Sequence, residues 1–280
     1  TRTLNHYIEL GQIKVFELSV NQNLSYDLQR IRFQFESTRP DFVIVSHASN
    51  VIGLVAPVEE IFTLAKAFNA TTLLDMAQTA GLVDCDIGKE IFDFADLLEQ
   101  DTIGPTGISG FVMKPDIDLE PVFFGGTGFD SANQQMPSSL PERFEFGTLN
   151  TVGIAGLNAS IKWILEQGIQ TLFIAEQNNR MRLLSLLSDY DFITIIGNSA
   201  EHEYVGIVSC VIDGISSDTA GQLFSERNIS VRTGLHCAPT AHRFLNTYPA
   251  GTIRFSVNSF TTNEDFEVLR DALDDISDNL

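Results

Sequence analysis

Strand-forming runs alternate with amphipathic helical stretches through the first half of this chain, and that alternation restricts it to few folds. The run Phe42-Val-Ile-Val-Ser-His47 is apolar and β-branched, the pattern of a buried strand. Pro57 then opens a helix over 58–68, with Glu59 and Glu60 in its first turn and Ile61, Leu64, Ala65 and Phe68 spaced along its length. A second strand, over 71–74, ends on Asp75, and strands over 94–98 and 108–113 flank the turn Gly104-Pro-Thr-Gly107. Strands separated by single helices pair in parallel, because a right-handed crossover returns the chain to the same end of the sheet. The chain is therefore expected to be α/β, with a mostly parallel sheet carrying helices on both faces over 1–165.

From 151 to about 187 the pattern is helical, with a stripe of Leu157, Ile161 and Ile164 succeeded by Ile174, Met181, Leu184 and Leu187. The last third reads as strands over 204–212, 229–232 and 252–257, with a helix over 219–226. An amphipathic helix over 263–276 carries Phe266, Leu269, Leu273 and Ile276 on one face. This predicts a smaller C-terminal α+β domain over 166–280.

A net charge of −20, with only 17 scattered basic residues, argues against nucleic acid and against an anionic membrane surface. An apolar share of 44% fits a globular protein rather than a disordered one. No apolar run reaches the roughly 18 residues that a membrane span needs. Cys85, Cys210 and Cys237 show neither a disulfide framework nor metal-ligand spacing, so no metal is expected, and a reducing, cytoplasmic setting is.

In parallel sheets ligands bind at the carboxyl ends of the strands, and Asn50, Asp75 and Asp101 fall at or just after such ends. Four sequence islands carry further candidates: Ser46-His-Ala-Ser-Asn-Val-Ile-Gly53, Asp75-Met-Ala-Gln78, Arg143-Phe-Glu-Phe-Gly-Thr-Leu-Asn-Thr151, and Arg232-Thr-Gly-Leu-His-Cys-Ala-Pro239 followed by Arg254. Each alone has an ordinary explanation. Asp75 also suits a loop or helix cap, Thr148 also suits a cap on the helix starting near 152, and a lone cysteine such as Cys237 is often a small core residue.

Together, in this order and spanning nearly the whole chain, the islands resemble the class V aminotransferase family, and most of all its cysteine desulfurase-like members. The resemblance implies the fold of a pyridoxal 5'-phosphate (PLP)-dependent transferase. Asp75 then matches the carboxylate beside the cofactor's ring nitrogen, which keeps that nitrogen protonated. Gln78 matches the partner of its phenolic oxygen. Thr148 matches a phosphate contact made in the neighbouring subunit's site, which implies a homodimer or a heterodimer. Asn50, Arg254 and Arg232 match a grip on the substrate carboxylate, Arg254 bidentately, so a small amino acid is the implied ligand. Cys237 matches the persulfide-forming nucleophile, with His236 or Arg232 as the neighbour that lowers its pKa.

Two departures set this sequence apart. The family's cofactor-anchoring lysine, preceded by histidine, is expected 26 residues after Asp75, where Gln100-Asp101 stands instead. A carboxylate cannot form the covalent link, so covalent attachment is not expected, and ordinary catalysis is expected to be impaired. The family also carries an earlier segment with a phosphate-cradling loop and a ring-stacking histidine, and the present sequence starts after it. Three functions compete on these grounds: a non-catalytic scaffold that pairs with itself or an active paralogue, an enzyme with non-covalently bound cofactor and Asp101 as base, and one part of a system completed by another polypeptide. A Cys237–His236 hydrolase is a poor fourth, since adjacent residues seldom give nucleophile–base geometry.

Overall fold

The computed structural model describes residues 2–18, 20–98, 104–129 and 132–278. Its first sheet has the order β1 (Phe42–Ser46), β2 (Thr71–Asp75), β3 (Phe94–Leu98), β4 (Ser109–Met113). The first three strands are parallel and β4 is antiparallel to β3. The connection from Leu98 to Ser109 is too short for a crossover, which explains the reversal.

Before this sheet come α1 (Arg2–Glu9), which buries nothing, and α2 (Leu28–Thr38). The Asp27 side chain caps α2 by accepting from the Gln29 and Arg30 N–H groups. Between the first two strands lies α3 (Val58–Ala67). Ile31 and Phe35 of α2, with Ile61, Phe62 and Ala65 of α3, bury Val43, Val45 and Leu74. Phe62 meets Phe92 edge to face, with ring centroids 5.5 Å apart. The helical cover is unequal. Burial alternates along β1, so Phe42 and Ile44, apolar like their neighbours, point to the other face and are each 45% exposed.

Asp93, just before β3, is buried with its carboxylate partnered by Lys66 and by the Thr72 N–H at 2.8 Å, with the Lys114 ammonium at 3.5 Å. These bonds tie α3 and β4 to the amino ends of the central strands.

The expected helical pattern over 151–187 is two helices, α4 (Thr151–Gln167) and α5 (Ile169–Ser188). Gly168, at φ 83°, breaks them apart, a backbone conformation that side chains rarely tolerate. The second sheet has the order β5 (Ile193–Ile196), β6 (Ile207–Ile212), β8 (Thr252–Ser256), β7 (Arg232–Gly234), antiparallel throughout. It is backed by α5, by α6 (Ser217–Glu226) and by α8 (Asn263–Ser277), through a core that includes Leu183, Leu187, Phe224, Ile253, Phe255, Phe266 and Leu273. A capping box between Thr262 and Asp265 fixes the start of α8. The strand expected over 229–232 begins at its last residue, because pairing with β8 sets its bounds, while Ile229 and Val231 pack against the core. The short α7 (Pro239–Phe244) follows β7. Among the described residues no helix is long and apolar enough to cross a membrane.

Candidate active site

The carboxyl ends of β1 and β2 lie side by side, with Ser46 in register with Asp75. The Ser46 hydroxyl donates to Asp75 Oδ2 at 2.9 Å, and Oδ1 accepts from the Ala77 N–H at 3.0 Å. Both carboxylate oxygens are thus oriented at the strand end. Gln78 is half-buried in the turn that follows. Beneath it His47 is buried, its Nδ1 2.9 Å from Thr79 Oγ1, and burial pushes its pKa below the usual value. Asp96 on β3 is in register with Asp75 and therefore on the same face. Neither Ser46 nor Asp96 stands among the residues expected from sequence. Strand register is the signal that finds them.

After β1 the chain turns through residues 49–54 and meets the second sheet. Gly53 (φ 76°) must be glycine here, since a Cβ would stand 2.9 Å from the Val205 carbonyl oxygen. The Val205 N–H donates to the Gly53 carbonyl at 2.8 Å, and the Ser209 hydroxyl donates to the Val51 carbonyl at 2.5 Å. This seam brings the candidates together. Asn50 Nδ2 donates to the His236 carbonyl at 2.7 Å, and Arg254 Nη1 donates to the Asn50 carbonyl at 2.9 Å. Arg232 and Arg254 face each other across β7 and β8. Two guanidinium groups directly opposed on one face repel unless an anion lies between them.

Cys237 is exposed, and Arg232 Nη2 donates to its Sγ at 3.2 Å. The two expected neighbours of the thiol therefore part company. Arg232 reaches it, whereas the His236 ring turns inward, is 2% exposed, and lies with Nε2 2.8 Å from Thr252 Oγ1. Burial, followed by the positive charge of Arg254, the adjacent His242 and Arg232, pushes the His236 pKa down to about 4. It is neutral at physiological pH and offers the thiol no cation. Cys210 is fully buried, and burial pushes its thiol pKa to about 12, as for an inert core residue.

Thr148 is exposed after Gly147, whose N–H donates to the Gly126 carbonyl at 2.7 Å. It does not cap α4; Asn150 does, its side chain accepting from the Gly153 N–H. Gln100 and Asp101 lie outside the described residues. All five lysines lie elsewhere in the chain, with Lys66 and Lys114 engaged at Asp93 and Lys89 on Glu59.

The family model described as "Aminotransferase class-V" matches residues 5–269. A protein of Aeropyrum pernix described as "Probable cysteine desulfurase" is 33% identical over 252 residues, which is 86% of this chain and 61% of that protein. A namesake in Methanothermobacter thermautotrophicus is 32% identical over 249 residues, with the same two coverages. The chain thus spans about three-fifths of the length of the curated relatives it matches. Among solved structures, the apo cysteine desulfurase from Thermococcus onnurineus NA1 superposes with a TM-score of 0.87 at 25% identity, covering 99% of this chain and 69% of that one. The cysteine desulfurase CsdA of Escherichia coli shares the fold, with a TM-score of 0.84 at 22% identity over 99% of this chain and 68% of that one. This chain belongs to the aminotransferase class-V family, whose members depend on pyridoxal phosphate.

Proposed function

We propose that this chain is a cysteine desulfurase-like protein that keeps the amino-acid grip and the sulfur acceptor of such a site but is impaired in ordinary desulfuration. The observation that carries this is the distribution of amines. Asp101 occupies the position where the family's anchoring lysine is expected, and the lysines bonded to Asp93 sit at the opposite ends of the strands from Asp75. A five-residue strand separates those ends by about 13 Å, beyond the reach of a side chain already engaged in an ion pair.

The cofactor's fit is supported on one side only. Asp75, with both oxygens held by Ser46 and Ala77, suits a protonated ring nitrogen, and Gln78 and Thr148 are the proposed contacts to the phenolic oxygen and the phosphate. Lys66, Lys89 and Lys114 are all held in ion pairs away from the aldehyde's expected place in this reading. Held there by Asp75, Gln78 and Thr148, pyridoxal phosphate would supply an electron sink for the substrate. The rest falls to this chain. Arg254 and Asn50 hold the substrate carboxylate, Arg232 orients the Cys237 thiol, and Cys237 accepts sulfur. That residual set supports a second reading, an enzyme acting on an amino acid with non-covalent pyridoxal or pyridoxamine phosphate and Asp101 as base.

The partner we propose is a second subunit, a copy of this chain or an active paralogue, in a cytoplasmic setting. Its support is the exposed apolar surface on Val122, Phe123, Phe124 and α4, where Val152 is 81% exposed.

The test is to add pyridoxal phosphate to the purified protein, record its absorption, reduce with borohydride, and map adducts by mass spectrometry. We expect no lysine adduct and no sulfide release from cysteine. A stoichiometric adduct on one lysine, with turnover, overturns the proposal. A spectral change without an adduct favours the non-covalent enzyme. Asp101→Lys is expected to gain the adduct.

A further inference from the structure

The turn that presents Cys237 is strained, and one buried side chain holds it. His236 and Cys237 are consecutive non-glycine residues at φ 46° and 61°, in the left-handed region. This turn sends neighbouring side chains in opposite directions, the His236 ring into the interior and the Cys237 thiol to the surface beside Arg232. Three interactions converge on residue 236. Its ring lies 2.8 Å from the buried Thr252 hydroxyl, and its carbonyl accepts from Asn50 at 2.7 Å. It also packs on the ring of His242, with centroids 5.4 Å apart. His242 is anchored in turn, its Nδ1 2.7 Å from Thr247 Oγ1. Among the described residues the remaining nitrogen of His236, Nδ1, is buried without a hydrogen-bond partner, so no hydrogen bond there leads to the thiol.

We propose that His236 is a positioning residue: its buried ring, latched to Thr252, keeps the turn in its left-handed conformation and so holds Cys237 outward against Arg232. This rests on Cys237 as the sulfur acceptor, but it assigns His236 no proton transfer. Releasing the latch lets two strained residues relax toward right-handed geometry, which withdraws the thiol from Arg232.

The experiment is the rate of iodoacetamide alkylation of the whole protein, with no cofactor or substrate present and the label assigned to Cys237 by peptide mapping. His236→Leu, which removes the latch, and Thr252→Val, which removes it from the other side, are each expected to slow alkylation about tenfold. His236→Gln, able to reach Thr252 but unable to titrate, is expected to stay within about twofold of the parent, with a superimposable pH profile. A parent-like rate in a folded His236→Leu protein overturns the proposal. So does a His236→Gln profile displaced along the pH axis, which would make His236 a base. If His236→Leu fails to fold, Thr252→Val decides alone. A Cys237 that alkylates as expected yet never takes up sulfur sinks the acceptor role while leaving the latch standing.

Discussion

Replacing Glu176 by glutamine is expected to stabilise this protein at neutral and alkaline pH and to destabilise it by about 1–2 kcal/mol in acid, where the parent carboxyl is neutral. Glu176 lies on α5, is 6% exposed, and accepts the Gly206 N–H at 2.6 Å. Burial lifts its carboxyl from 4.5 to about 7, against the pull of the Gly206 N–H. The unfolded chain loses this proton from about pH 4.5 upward, while the fold retains it to about 7. Between those values the folded state binds more protons, so stability falls as pH rises and levels off above the folded pKa. The full cost is about 3 kcal/mol. An amide oxygen can keep the Gly206 bond, but burying the amide recovers only part of that sum, leaving a net gain of about 1–2 kcal/mol. Urea unfolding followed by circular dichroism at about pH 4.5, 6 and 8 measures it. A difference between Glu176→Gln and the parent that stays constant with pH would refute the reasoning, because only a titrating carboxyl makes it vary.

Three further perturbations test the interactions that hold the two sheets and their helices in place. Gly251→Ala should cost about 3 kcal/mol or more and visibly lower the melting temperature, since Gly251 has φ 75° and a Cβ there would stand 2.2 Å from the Gly234 backbone. Thr262→Ala removes the capping box of α8 and should lower the denaturant midpoint by the equivalent of about 1 kcal/mol. Burial raises the Asp93 pKa, but the bonds from Lys66 and Thr72, with Lys114 nearby, more than reverse it, so the carboxyl sits below 3.8. Its stabilisation is present above 3.8 and fades as pH falls through the folded value. Asp93→Asn should therefore cost about 2–4 kcal/mol near pH 7 and flatten the acid limb of the stability profile.

The strands and helix of the first half were the most legible elements in the sequence, whereas β7, which carries Arg232, was placed largely before its true start. The strand over 94–98 and the helix over 58–68 follow from short apolar runs and a proline-opened, acid-led start, signals that local physics imposes on its own. The unassigned α2 had comparable signals in the Asp27 cap and the Ile31–Phe35 pair. The short β5 and α7 owe their shape to neighbours rather than to propensity. At the site, the resemblance to the class V family nominated Asn50, Arg232, Cys237 and Arg254, which the fold brings to one seam. The direction of the His236 ring was not legible. Which way a side chain points from a left-handed turn depends on the Thr252 hydroxyl waiting in a strand sixteen residues away.

The seam at residues 50–53 also makes the site a gauge of partial unfolding. Asn50 belongs to the first sheet's loop, yet its side chain and carbonyl, like the carbonyls of Val51 and Gly53, bond to the second sheet and the loops beside its strands. If the second sheet opens as a cooperative unit below the energy of global unfolding, those bonds break together. The Arg254–Asn50 contact then disappears while the first sheet's amides stay protected. Hydrogen exchange at the Val205 amide, which donates across this seam, would report how often the two halves part company and set an upper limit on the fraction of time the grip exists.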